Sequence, residues 1–518
     1  MLCELLLDAR RASDRVFAHG EGSGAGRFGR RPSQQTRRVG DMFDQSAKSM
    51  KPTRVSFYGN FGAGNLGNEC TLQAVIQQIL RRWPDAQLLC FCTNPQDVCA
   101  RHNIAAFPSE AVDKTAAKRS ASRGRGRLAR IFRIAFQRIP LELVHWAKSL
   151  QAVSRTDMLI VAGTGIVADY LTGPLSWPYD IFKLSALSAL CRVKLVFLSV
   201  GVGPIRHPLS RWFLKTSLAL AHHRSYRDEA SKQYLEKIGF NTERDLVCPD
   251  VVFGLSQGNL VSGVSAAERR IIGVGLKDYG STEPKAFREY LDTMMAFVSW
   301  LHGHGYGVRL LIGDIAYDTS VIEEFVDVLR SRNIAADPPL LIAEPPLTVK
   351  ELLRQVGETE AVISARYHNL VMALIQNKPV IALSDHAKLD SLATDFGLAH
   401  YLLPLKNLSH EVLIGRFEQL TNDVDRLKPY IKAELDKYCQ ALDVLYDTLL
   451  ADDAKARAKY SSITKVAKLL LRRRSPIIFY LRVNAWLWKR LPAKLRNTRP
   501  TRWCGAILHK LVSRRANR

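Results

Sequence analysis

From Arg54 onward the chain alternates between short apolar runs and longer stretches with helical spacing. Runs rich in β-branched and aromatic residues at Arg54–Tyr58, Gln87–Phe91, Asp157–Ala162 and Lys194–Val200 predict strands. Between them, Glu69–Leu80 and Arg211–Ala221 carry apolar residues three and four apart, as amphipathic helices do. Strands separated by helices predict a parallel sheet with helices on its faces. A Gly- and Ser-rich passage, GLSQGNLVSGVSAAERR (254–270), suits a hinge. After it a second series begins. Ile271–Leu276, Val308–Ile312, Ala361–Ser364 and Pro379–Leu383 predict strands, separated by helical segments that include Pro284–His302 and Ser320–Arg332. The predicted fold is α/β, with two Rossmann-like lobes facing a cleft. Its boundaries are a disordered leader (1–50), an N-terminal lobe (51–255), a C-terminal lobe (256–405), a helical segment packing back on the lobes (406–450) and a basic helical extension (451–518).

Composition supports packed cores: 47% of the 518 residues are hydrophobic. The leader is the exception, rich in Gly, Arg, Ser and Gln without apolar periodicity. Nine cysteines, none in a C-x-x-C pair, are too sparse for a disulfide scaffold and favour a reducing compartment. Cys90, Cys92 and Cys99 are conceivable metal ligands, yet Cys90-Phe91-Cys92 ends the apolar run Leu88-Leu89, where alternate side chains of a strand are simply buried. No run of about 18 uninterrupted apolar residues predicts a membrane span. The N-terminal MLCELLLDARR lacks the basic start of a secretory signal. Together these features predict a cytoplasmic location.

The formal charge of +25 is unevenly placed. From Lys455 to Arg518 there are 19 Lys and Arg and no Asp or Glu. A second basic stretch, Lys114 to Arg138, predicts an exposed insertion near 114–148. In the tail, Ile463, Val466, Ala467, Leu470 and Leu471 share one helical face, with Lys465, Lys468, Arg472 and Arg473 elsewhere and Trp486, Trp488 and Trp503 following. Such a helix fits docking on an anionic membrane surface, at about 1 kcal/mol per basic residue. It equally fits a solvated helix on the protein's own surface. Nucleic acid is disfavoured, because no recognised binding module accompanies the charge.

The segment Ala361 to Leu398 concentrates the candidate chemistry. A short buried strand, Ala361–Ser364, runs into a turn holding Arg366 and His368, and an apolar helix over Asn369–Gln376 follows. Both polar side chains thus lie between a strand's carboxyl end and a helix's amino end, where open α/β sheets bind ligands and helix termini favour anions. The strand from Pro379 ends at Ser384-Asp385-His386-Ala387-Lys388 on the same rim. Arg366, His368, His386 and Lys388 form a set able to hold a phosphate and move a proton. In the competing structural reading, Arg366 pairs with a structural carboxylate and His368 caps the helix.

Two glycine-rich loops add to this. Tyr58-Gly59-Asn60-Phe61-Gly62-Ala63-Gly64-Asn65-Leu66-Gly67-Asn68-Glu69 joins the first strand to the first helix, and it lacks the Lys-Ser or Lys-Thr ending of a nucleotide P-loop. Its candidate substrate-binding residues are Asn60, Gly62, Asn65, Gly67 and Glu69, against the plainer reading of a tight turn. Gly163-Thr164-Gly165 ends another strand and contributes Gly163 and Gly165. Arg227 precedes a helix that Asp228 can cap, and is either a cleft arginine or a surface one.

The ordered set YGNFGAGNLGNE, AGTGI, SVGVGP, RDEAS, CPDVVFGL and SARYHNLVMALIQNKPVIAL, followed by KLDSL and FGL, resembles the polysaccharide pyruvyl transferases from about Arg54 to Leu398. The resemblance implies a fold similar to two-lobed GT-B glycosyltransferases and transfer of pyruvyl from phosphoenolpyruvate to a sugar of a surface polysaccharide or its lipid-linked precursor. It implies donor binding by Arg366 and Arg227 and acid catalysis by His368, with Lys388 as a further positive charge. No metal or cofactor is called for; phosphoenolpyruvate is the donor substrate and a glycan the acceptor. Two departures, Asn68 where the family commonly has Asp and Asp385 where it commonly has an aromatic residue, keep acceptor specificity from carrying over. Two rival functions stay open: a nucleotide-sugar glycosyltransferase of GT-B type, which the same two-lobed fold accommodates, and a non-catalytic membrane-associated binding protein held by its basic tail.

Overall fold

The computed structural model describes residues 53–111, 139–169, 173–255, 270–279, 283–332, 334 and 340–451. The predicted leader, most of the basic insertion, all but the ends of the Gly- and Ser-rich passage, and the basic tail lie outside them.

The first lobe is built from β1 (Arg54–Tyr58), α1 (Leu66–Arg82), β2 (Gln87–Cys92), α2 (Pro95–His102), β3 (Ala105–Pro108), α3 (Ile139–Val153), β4 (Met158–Ala162), α4 (Trp177–Cys191), β5 (Lys194–Val200), α5 (Pro208–Leu220), β6 (His223–Tyr226), α6 (Glu229–Lys237) and β7 (Leu246–Val247). Its seven strands are parallel, in the order β3-β2-β1-β4-β5-β6-β7. The second lobe holds β8 (Ile271–Gly275), α7 (Pro284–Gly303), β9 (Gly307–Leu311), α8 (Ile315–Ser331), β10 (Leu341–Ile342), α9 (Val349–Gly357), β11 (Ala361–Ser364), α10 (Tyr367–Ile375), β12 (Val380–Ser384), α11 (Ala387–Asp395) and β13 (Leu402–Pro404). Six parallel strands run β10-β9-β8-β11-β12-β13.

Each sheet therefore reverses its strand order once, between β1 and β4 in the first lobe and between β8 and β11 in the second. Loops diverge at such a point and leave a crevice beyond the carboxyl ends of the strands. The four strands that flank the two reversals lead into the glycine-rich loop, Gly163–Gly165, Leu276-Lys277 and Arg366–His368. Central strands are buried along their whole length because helices cover both faces: every residue of Met158–Ala162 and Ala361–Ser364 is buried. Cys90 and Cys92 are buried side chains of β2.

Three helices start earlier than their apolar spacing suggests. Asn65 caps α1 by accepting the Asn68 N–H, so the helix begins at Leu66 rather than Glu69. The first turn of α8 contains Asp318, whose carboxylate accepts the N–H groups of Gly313 and Asp314, so the helix begins at Ile315 rather than Ser320. Arg366 is the cap of α10, which places His368 inside the helix's first turn rather than in the turn before it. After β13, α12 (His410–Asn422) and the 28-residue α13 (Val424–Ala451) complete the fold. Helix α13 returns to the first lobe, where Arg82 meets Asp443 at 3.0 Å and Asp447 at 2.6 Å. Among the described residues no helix is long and apolar enough to cross a membrane.

Candidate active site

On the second lobe, the Ser364 hydroxyl accepts the Arg366 N–H at 2.9 Å and so orients the entry to α10. The Arg366 guanidinium reaches Asp318, which is completely buried and also accepts from Gly313 N at 2.9 Å and Asp314 N at 2.8 Å. Burial raises the Asp318 carboxyl, and the Arg366 charge opposes that shift. The competing structural reading of Arg366 thus has its carboxylate. The guanidinium is not consumed by it: the side chain stays 21% exposed, Nε has no partner among the described residues, and an arginine offers five donors.

His368 projects into the first lobe. A Cβ on Gly67 would lie 1.9 Å from its Nδ1, so the imidazole occupies the space that any other residue at 67 would fill. Among the described residues its buried Nε2 has no hydrogen-bond partner. Burial lowers the ring to about 4; Asp250 opposes that shift, and the charges of Arg227 and Lys388 add to it. The imidazole is therefore neutral at pH 7.

Arg227 leaves the end of β6 and passes over Gly201, where a Cβ would come within 2.6 Å of its Nη2. It donates to the fully buried Asp250 at 3.1 Å and stacks on the Tyr367 ring, 5.2 Å from its centroid. Asp250 also accepts the Val252 N–H at 3.1 Å, capping the short 3-10 turn Val251–Gly254. Lys388, in the first turn of α11, has its ammonium lowered to about 8, chiefly by the Arg227 charge and then by burial. Arg227, Asp250, Tyr367, Lys388, Ser391 and Tyr438, among others, line a pocket; His368 and Arg366 are not among its lining residues.

Arg227, His368 and Lys388 are thus brought within electrostatic reach of one another, while Arg366 is turned aside toward Asp318. His386 is partly exposed beside Asp385, 3.8 Å away, and Lys277 also pairs with Asp385. The glycine-rich loop divides by function. Glu69 is buried, accepts from Gly62 N at 2.8 Å and meets His102 at 2.9 Å; Asn60 accepts from Asn68 at 3.0 Å. Glu69, Gly62 and Asn60 therefore form the tight turn itself, whereas Asn65 and Gly67 face the other lobe. Gly163 packs under the Ser199 carbonyl, and a Cβ on Gly165 would sit 3.9 Å from Lys388 Nζ.

Asp250, Asp318 and Tyr367 were not singled out by the sequence. Asp250 and Tyr367 stand inside CPDVVFGL and SARYHNL, where a lone Asp beside an arginine-bearing strand end and an aromatic between Arg and His are the available signals. Asp318 lies in a helix turn with no motif around it.

Fold and site together define a two-lobed, Rossmann-type α/β protein with Arg227, Lys388 and their carboxylate partners lining a crevice. The chain belongs to the polysaccharide pyruvyl transferase family, whose model matches residues 65–386, well over half of its length, and it is accordingly a transferase acting on polysaccharides. Comparison with curated proteins gives no match. Among solved structures, a putative UDP-N-acetylglucosamine 2-epimerase from Listeria monocytogenes is similar at 12% identity and a TM-score of 0.47, covering 78% of this chain and 96% of its own. A glycosyltransferase from Rickettsia africae is similar at 9% identity and 0.48, covering 82% and 100%. MurG from Acinetobacter baumannii is similar at 11% and 0.41, covering 77% and 100%.

Proposed function

We propose that the cleft transfers the pyruvyl group of phosphoenolpyruvate to two hydroxyls of one glycan sugar, forming a ketal. The observation that carries this reading is the unpartnered Nε2 of His368 beside Arg227 and Lys388. A proton donor among cations is what an anionic enol ester requires. Arg227 and Lys388 bind phosphate and carboxylate oxygens, Arg366 contributes donors on turning from Asp318, and His368 protonates the methylene carbon. The carbon–carbon double bond supplies the electron pair for the new C–H bond, leaving cationic character at the second carbon. One sugar hydroxyl adds there and releases its proton. The C–O bond to phosphate then breaks, phosphate leaves, and the second hydroxyl closes the ketal with loss of its own proton. Of the two hydroxyl protons, one replaces the proton His368 gave and one leaves with phosphate.

A neutral imidazole at pH 7 is a poor acid, and the donor itself corrects this. Its several negative charges, placed beside His368, favour the imidazolium and oppose the Arg227 and Lys388 effects. His368 is expected to titrate near 4 in the free protein and higher with phosphoenolpyruvate bound. Because the acid must be protonated, turnover at saturating donor falls only as pH rises past that higher value. Histidine-selective NMR with and without the donor checks this; an unchanged titration would remove His368 as the acid.

The reaction is tested by incubating the protein with phosphoenolpyruvate and glycan fragments. Inorganic phosphate should appear together with a gain of pyruvate on the glycan by mass spectrometry. Nucleotide release from nucleotide sugars, with no phosphate from phosphoenolpyruvate, would overturn it.

A further inference from the structure

The loop after β1 and the turn after β9 belong to different lobes, yet their backbones pair. Leu66 N–H donates to the Gly313 carbonyl at 3.1 Å and Ile315 N–H donates to the Gly64 carbonyl at 2.9 Å. Between these two bonds, Asn65 Nδ2 donates to Asp314 Oδ2 at 2.8 Å. The result is an isolated antiparallel bridge reinforced by a charge-assisted side-chain bond, with Asp314 only 7% exposed.

What adjoins this bridge gives it significance. On the first-lobe side the next residue is Gly67, the seat of His368. On the second-lobe side the N–H groups of Gly313 and Asp314 grip Asp318, which holds Arg366. The Arg366 stem also lies against Gly313, where a Cβ would be 3.1 Å from its Cγ. Hydrophobic packing alone brings two lobes together without fixing their register. Three directional bonds fix it, because a slip of one residue breaks all of them.

We propose that Asn65 and Asp314 form an interlobe latch and are positioning residues: their pairing sets His368 and Arg366 relative to each other for the transfer. The inference rests on the proposed reaction for its kinetic consequence and on the bridge alone for its structural one. Both residues act through Gly67, Gly313 and Asp318. A misalignment of about 1 Å at a reacting group costs up to a hundredfold in rate, so a loosened latch acts on turnover more than on donor affinity.

The test uses the full chain. Asn65→Asp keeps the cap on α1 but sets two carboxylates face to face, which opens the latch. Adding Asp314→Asn restores one donor and one acceptor with the roles exchanged. Asn65→Asp is expected to speed amide hydrogen exchange about tenfold or more at Leu66 and Ile315, leaving β1 and β9 unchanged, and to lower kcat about tenfold with the phosphoenolpyruvate KM moving less than about threefold. The double variant should return both to within about threefold of the parent. Unchanged exchange in Asn65→Asp, or a double variant as impaired as the single one, overturns the latch. Hydrogen exchange needs no substrate, so a failed donor assignment cannot be mistaken for a failed latch.

Discussion

His368→Ala is expected to lower turnover by about a hundredfold to ten-thousandfold, the usual worth of a general acid. The same substitution should leave the fold intact. Its Nε2 has no partner to strand, and a ring lowered to about 4 carries no charge at pH 7, so no ion pair is lost. Phosphate release under saturating phosphoenolpyruvate measures the first effect and a thermal unfolding midpoint the second. Turnover near that of the parent would place the acid elsewhere.

Gly67→Ala should be nearly as damaging although residue 67 contributes no side chain. The new methyl would lie 1.9 Å from Nδ1 and 2.4 Å from Cε1 of His368, so the imidazole must leave or the lobes must part. Either displaces the acid by more than the roughly 1 Å that costs about a hundredfold. Locally the exchange favours folding, since Gly67 lies in α1 and alanine is the better helix former by about 1 kcal/mol. Combining Gly67→Ala with His368→Ala should cost no more than His368→Ala alone, because both remove one function. Additive losses in that double variant would show that Gly67 serves something other than the imidazole.

Much of this arrangement was legible from local pattern. Apolar runs such as Met158–Ala162 and Ala361–Ile363 announce central parallel strands, and Arg366 and His368 stand at a strand-to-helix junction that chain order alone identifies. What stayed hidden depends on contacts between distant segments. Nothing near Gly67 says that a histidine of the other lobe rests on it. Asp318 sits in a helix turn whose polar residues interrupt the apolar spacing, so both the start of α8 and the partner of Arg366 were missed together. Glu69 shows the opposite error: its place in a glycine-rich loop suggested a ligand, yet its carboxylate is spent on Gly62 and His102.

Asp250 and Asp318 neutralise the two arginines from within, and Asp228 and Asp395 stand beside Lys388 on the wall of the cleft. Seen from several ångströms away, cations and carboxylates there nearly cancel. Beyond a Debye length of about 8 Å at physiological ionic strength little field remains to steer an anion inward. Capture of the proposed donor, phosphoenolpyruvate, would then depend on collision and close-range exchange of carboxylate for phosphate, a process that added salt would barely slow.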